Sequence, residues 1–261
     1  MLSVRMTPNL LGIEITGDYD ELNRLYDAVW AVVGHEYDQE TGATEQGVIM
    51  RTRLLALCYD LRKAYEAGRN IRYVDNGMDR DKAQYLELGL PPLQNLEYSV
   101  EVLYPEALYE VMLLGYLLSL YQAKLVKRKS FSHYEANDPR VVFDPVCAEV
   151  RMYQSLVLEA VRERTSSNTF SRIRKKVTEG QDLVYDLYPQ WVDIINIDWC
   201  DMTPKKRQSG LSTVARDIAD HYSNIEYLDL KRDIDAYVRE TGASRDNVQL
   251  AGLDYPEEYD W

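Results

Sequence analysis

Histidine, phenylalanine and cysteine are all scarce in this chain of 261 residues, with three of each. Cys58, Cys147 and Cys200 are odd in number, lie far apart and form no C-x-x-C pair, which argues against a disulfide framework and against a cysteine-rich zinc module. Three histidines, His35, His133 and His221, leave little material for a histidine-based metal or acid–base centre. Neither G-x-S-x-G, H-E-x-x-H nor the phosphate-binding G-x-x-x-x-G-K-[ST] occurs, so the common nucleophile-elbow, zincin and P-loop chemistries find no foothold. No internal repeat with a period of roughly 20 to 50 residues is present, which excludes a solenoid or propeller.

Long apolar runs are missing too. The longest uncharged interval, Val111 to Ala123, is closed by Glu110 and Lys124. A bilayer needs about 20 apolar residues in a helix that rises about 1.5 Å per residue, so this interval is too short to span one and no membrane partner is expected. Leu, Met, Val and Tyr occur all around it, the pattern of a helix buried on most sides of a soluble core. Residues 1–20 lack the charged start, continuous apolar block and small-residue cleavage site of a signal peptide. The expected setting is therefore the reducing cytoplasm, and no cofactor is indicated.

Positive charge is in short supply, and its distribution is uneven. The net charge is −13. Residues 1–123 carry 10 basic against 19 acidic side chains, residues 124–176 carry 12 against 6, and residues 177–261 carry 8 against 18. A basic island thus sits between two acidic flanks, densest at Lys124, Lys127, Arg128 and Lys129, at Arg162 and Arg164, and at Arg172, Arg174, Lys175 and Lys176. Aromatic content is skewed as well, with 21 tyrosines against three phenylalanines. Tyrosine buries a ring while keeping its hydroxyl near water, which suits half-buried helices and surfaces that meet another molecule.

Periodicity predicts an α+β fold. A small N-terminal antiparallel sheet with helices fills residues 1–104, and a mainly helical part, residues 105–261, is built around a central buried helix over 105–126, the two sharing one core. Val4 and Met6, the turn "TPN" and "LLGIEIT" read as a β-hairpin. A helix follows, with Asp18 or Asp20 as N-cap and an apolar stripe from Leu22 to Val33 that stops at Gly34. A second helix spans about 45–67. "NIRYVD" and "LEYSVEVLY" are strands, the latter with Leu96, Tyr98, Val100 and Val102 alternating with polar residues. Between them "DRDKAQYLELGLPP" is a short helix, and Pro105 opens the central one. Gly115 on that helix either lets a neighbouring backbone approach closely or simply weakens the helix slightly. No convincing strand follows Tyr104; Pro189 interrupts an apolar segment, the last helix ends near Gly242, and the acidic aromatic tail either frays or docks through Tyr259 and Trp261.

In "TPNLLGIEITGDYDELNRLYDAVWAVVG", the order Thr7, Pro8, Asn9, Gly12, Ile13, Gly17, Asp18 and Tyr19 resembles an uncharacterised bacterial protein family of unknown function. The resemblance covers 28 of 261 residues. It implies a bacterial cytoplasmic origin and carries no catalytic residue across.

Three sets of residues stand out as candidate chemistry. Asp75, Glu97 and Glu101 would gather a divalent metal if their strands pair, because Mg²⁺ accepts carboxylates and keeps waters. Against this, Glu97 and Glu101 occupy the polar face of their strand, where a solvated surface explains them as well, and no lysine follows an acid by two residues in this strand. Asp217 with His221 is a helical i, i+4 pair, and His133, Glu135 and Asp138 share a loop-like segment. Lys205, Lys206 and Arg207 stand just before an expected helix start and, with Arg172, Arg174, Lys175 and Lys176, form a candidate anion-binding set. Solvated cations balancing nearby Asp198 and Asp201 explain the first three equally well.

The function that fits best at this level is a non-catalytic protein-binding or assembly module whose partner is another protein chain, including a second copy of this one. One alternative is a metal-dependent hydrolase acting on a phosphate-bearing or nucleic-acid substrate through Asp75, Glu97 and Glu101. A second alternative is a nucleic-acid-binding regulator that uses the basic island 124–176.

Overall fold

The computed structural model describes residues 1–34, 45–66, 70–89, 91–128, 130, 136–179, 187–245 and 248–261. His35, Lys129, His133 and Glu135 lie outside the described residues. The fold is α+β, with a four-stranded antiparallel sheet in the order β1-β2-β4-β3.

Strands β1 (Ser3–Met6) and β2 (Gly12–Gly17) form the expected hairpin. Its turn is held by Thr7, whose hydroxyl donates to the Gly12 carbonyl (3.2 Å) and accepts from the Gly12 N–H (3.0 Å). Helix α1 (Tyr19–Val33) begins at Asp18, which forms a reciprocal capping box with Glu21. Helix α2 (Glu45–Glu66) follows, then β3 (Ile71–Asp75), a short helix α3 (Arg80–Tyr85) and β4 (Gln94–Leu103). On β4 the alternation holds: Val100 and Val102 pair with the buried Ile15 and Ile13, while Glu101 opposes Glu14 on the other face.

Helix α4 (Tyr104–Leu125) is the centre of the molecule. Pro105 opens it without cost, since the N–H groups of a first turn lack helical partners. Every side chain from Tyr104 to Leu118 is buried except Glu106 and Tyr116, because α4 is packed by β2, β4, α1 and α2 and by five later helices. Of those, α6 (Pro145–Arg162), α7 (Ser167–Glu179), α8 (Tyr188–Asp201) and α9 (Pro204–Ala219) are long, and α5 (Pro139–Val142) is a single turn. Gly115 permits the close crossing of α4 and α7: a Cβ there would lie 1.8 Å from the Val177 carbonyl oxygen of α7. One cluster of buried apolar side chains runs from Leu2 to Tyr227, through strands and helices alike.

Two expectations need revision. Pro189 does not interrupt a helix; it opens α8, in the first turn, where proline is tolerated. Lys205, Lys206 and Arg207 do not precede the helix start, since α9 already begins at Pro204 and they lie in its first turn. A 3-10 turn (His221–Ser223) leads into α10 (Ile225–Thr241), which ends on Gly242 in the left-handed conformation at φ 69°. The tail docks: the Asn9 amide donates to Asp260 (2.6 Å), and the Trp261 ring lies where a Cβ on Gly12 would meet it at 2.8 Å.

Candidate functional site

The sheet order leaves two edges, and they differ. β1 is covered by α6, whereas β3 is bare and all five of its residues are exposed. From Ile71 to Leu96 the chain runs out along β3, through α3, and back along the first part of β4. Among the described residues of that stretch only Ala83 is buried. It is an arm, and it carries exposed apolar side chains: Tyr73 is 69% and Tyr85 86% exposed, followed by Leu86, Leu93, Leu88 and Ile71. A two-stranded ribbon with no apolar cover is marginal in water, and a free strand edge offers unpaired N–H and C=O groups to another chain.

Hydrogen bonds at both ends of the sheet define which groups are free. The Tyr104 N–H donates to the Leu11 carbonyl (3.0 Å), so Val102, Val100 and Tyr98 bond to β2 and the residues between them face β3. The Asn76 N–H donating to the Leu93 carbonyl (3.4 Å) gives the same phase from β3. Arg72 and Val74 therefore bond to β4, and Ile71, Tyr73 and Asp75 direct their N–H and C=O groups away from the sheet.

The register also separates the three candidate metal ligands. Glu97 pairs with Arg72 and shares a face with Glu101, but Asp75 pairs with Gln94 on the opposite face, since successive strand residues alternate. Asp75 accepts from the Gly77 N–H (2.7 Å) in a turn. Glu101 accepts from the Asn70 amide (2.8 Å); burial, and then the facing Glu14, raise its carboxyl above the ordinary range. Arg72 ion-pairs with Glu14. No group of three or more metal-ligating side chains occurs among the described residues.

The cationic candidates are likewise dispersed. Arg207 is buried and donates to the carbonyls of Trp199 (3.1 Å), Cys200 (2.9 Å) and Asn9 (3.2 Å), tying the end of α8 to the β1–β2 turn. Lys205 and Lys206 stay exposed beside it. On α7, Arg172 pairs with Asp220 (2.7 Å) and Lys175 with Glu179 (3.6 Å). Arg174 is turned about 160° around the helix from Lys176, so these four do not form one continuous positive face. Asp217 pairs with Arg216 (3.4 Å), while His221 is wholly buried among the rings of Tyr188, Tyr222 and Tyr227. Asp138 caps α5 and binds Arg140, whose side chain and N–H lower its carboxyl to about 2.

A polar centre lies inside the helical body, and no residue pattern announced it. Arg53 of α2 donates to Glu106 (3.0 Å) and ion-pairs with Asp193. The Asn196 amide also donates to Glu106 (2.7 Å), and the Tyr255 hydroxyl donates to Asp193 (2.6 Å). Burial disfavours the Arg53 charge, but Glu106 and Asp193 outweigh it and raise its pKa. One turn along α4, Glu110 is 3% exposed and its Oε2 has no hydrogen-bond partner. Burial, then the adjacent Glu106 charge, pushes the Glu110 carboxyl well above the usual range. The three cysteine thiols are likewise raised by burial, Cys58 to about 12 and Cys147 and Cys200 to about 11, so none is a ready thiolate. The sequence signal for this centre was slight: a carboxylate closing the longest uncharged interval, on the side of the helix that the apolar pattern buries.

Fold and site together define an α+β protein with a helical body, a half-buried ion-pair centre and an apolar arm. The chain belongs to a family described as a domain of unknown function, DUF6904, whose model matches residues 2–261. The likeness seen over residues 7–34 thus extends over nearly the whole chain. No curated protein and no solved structure matches it. No helix among the described residues is long and apolar enough to cross a membrane.

Proposed function

We propose that this is a protein-binding or assembly module of a bacterial cytoplasm and that the arm formed by residues 71–96 is its docking element. The single observation that carries this reading is the arm's exposure. Large apolar side chains stand in water along one stretch of chain there, while most apolar residues of the body are enclosed, Phe143 and Ile225 being exceptions, and such clustering marks an interaction surface. Unpaired thiols, two of them buried, suit the reducing compartment. The hydrolase and nucleic-acid readings gain no specific observation of this kind.

The test is photo-crosslinking in the cell that makes the protein. A photoreactive amino acid replaces Tyr85 at the tip of the arm or, as a control, Tyr59 on α2, which is 50% exposed. Protein adducts identified by mass spectrometry at position 85, and several times fewer at 59, are expected. Equal yields at the two positions, or none at 85, overturn the reading.

A further inference from the structure

We infer that the occupant of the β3 edge is the β3 edge of a second copy of this chain, paired antiparallel about a two-fold axis at Tyr73, so that two four-stranded sheets become one continuous sheet. This rests on the arm being the docking element and goes further by naming the partner and the register.

The free groups are their own complement. Ile71, Tyr73 and Asp75 direct N–H and C=O outward at alternate positions centred on Tyr73. Rotating the strand by half a turn about an axis perpendicular to the sheet, just outside its free edge and level with Tyr73, brings Tyr73 opposite Tyr73 of the second copy and Ile71 opposite Asp75. Each such pair then exchanges both of its hydrogen bonds, as bonded pairs of an antiparallel ladder do. Shifting the register by two in either direction leaves outward groups of Ile71 or Asp75 beyond the strand they need. The chosen register therefore satisfies the most groups.

Side chains agree with this pairing. Arg72 comes opposite Val74 of the second copy and Asp75 opposite Ile71, so no like charges face each other across the new ladder, a clash that would oppose pairing. Tyr73 meets its own counterpart on the face that carries Ile71, Leu96 and Tyr98, where aromatic and β-branched neighbours favour cross-strand contact. The arm's exposed Tyr, Leu, Ile and Val side chains offer on the order of several hundred Å² of apolar surface, against roughly 800 Å² per partner in a standard interface.

The experiment uses the full chain in size-exclusion chromatography with light scattering over a concentration series, and non-reducing gels after mild oxidation. Wild type is expected to be a dimer that dissociates on dilution. Tyr73→Pro removes an N–H that the chain's own sheet does not use, and proline is tolerated where an edge N–H faces solvent; association is expected to weaken at least roughly tenfold, as two symmetry-related bonds disappear. Tyr73→Cys is expected to give a covalent dimer, since bonded pairs hold Cα atoms about 5.5 Å apart, within disulfide reach. Val74→Cys, which faces Arg72 of the second copy, is expected to give none above the wild-type background from the native cysteines.

A monomeric wild type overturns the proposal, as does Val74→Cys crosslinking as readily as Tyr73→Cys. A dimer that survives Tyr73→Pro but is lost on Tyr85→Ser with Leu88→Ser overturns strand pairing and leaves the arm reading standing. Adducts at position 85 to a different chain, without a dimer, do the same. If Tyr73→Pro alters the circular dichroism spectrum, the contrast between the two cysteine variants decides the matter alone.

Discussion

Helix α4 and the arm of residues 71–96 are similar in length and both rich in large apolar residues, yet they occupy opposite environments. On α4 such residues surround the whole helix, and a ring of other elements covers them. On the arm they are interspersed with charged residues on an exposed ribbon, and among its described residues only Ala83 is buried. Hydrophobic content alone therefore says little about stability; what matters is whether the chain returns to cover it. The body encloses most of its apolar side chains, Phe143 and Ile225 apart, and the arm leaves its own exposed.

This contrast predicts that identical chemistry has unequal effects in the two places. The largest is expected at Gly115→Val. A side chain there overlaps the Val177 backbone, which cannot rotate away as a flexible side chain does, so α7 must separate from α4. Destabilisation of at least about 4 kcal/mol in urea unfolding is expected, at the upper end for a core substitution. A variant with near-wild-type unfolding would show that the crossing is looser than the structure describes.

Next in size is Arg53→Met. The substitution keeps an aliphatic stem but leaves Glu106 and Asp193 facing each other with no cation between them. Removing one partner of a fully buried ion pair typically costs about 3–5 kcal/mol; these side chains are 15–22% exposed, so a loss of about 2–3 kcal/mol is expected. A double variant, Arg53→Met with Glu106→Gln, should recover part of that loss in a thermodynamic cycle, whereas purely additive losses would deny the coupling.

Much of this body was legible beforehand. The hairpin, the Asp18 cap, the alternation of β4 and the enclosure of the stretch after Pro105 all follow from short-range patterns in which each residue reports on its neighbours. Of the two readings open for Gly115, a weakened helix or a close crossing, the structure shows the crossing, with α7 as a partner that no local pattern named. Long-range polar pairing was not legible. Arg53 and Asp193 are 140 residues apart, and nothing near either one marks the other. Arg207 looked like one of three surface cations because its neighbours Lys205 and Lys206 are exposed; only the fold brings Asn9, Trp199 and Cys200 carbonyls around it. Asp75, Glu97 and Glu101 failed to converge for a simpler reason. Strand parity assigns each residue a face, but which residue of one strand meets which residue of the next depends on a register that the local pattern leaves open.

Glu110 gives a smaller effect with a diagnostic sign. Its pKa is raised in the folded state, so its contribution is intact below the ordinary carboxylate pKa and is lost as pH rises through the raised folded value. Wild-type stability should therefore carry a component that falls with increasing pH, and Glu110→Gln should lack it. The difference between variant and wild type is expected to grow in favour of the variant by about 1–2 kcal/mol between acid and mildly alkaline pH. Melting temperatures measured across that range read it directly, and a constant difference would mean that Glu110 does not change ionisation on unfolding.

The smallest stability effect belongs to the arm, and there the small size is itself informative. Replacing Tyr85 and Leu86, 86% and 54% exposed, by serine removes apolar surface that the folded monomer barely uses. Unfolding of the dissociated chain should shift by no more than about 0.5 kcal/mol per substitution, as at other exposed sites. At concentrations where copies associate, the same variant should lose the concentration dependence of its melting temperature, because partner binding stabilises a folded chain only while the interface exists. A large loss of stability in the dissociated chain would place these side chains in the body's own packing, and the distinction between enclosed helix and uncovered ribbon would then fail.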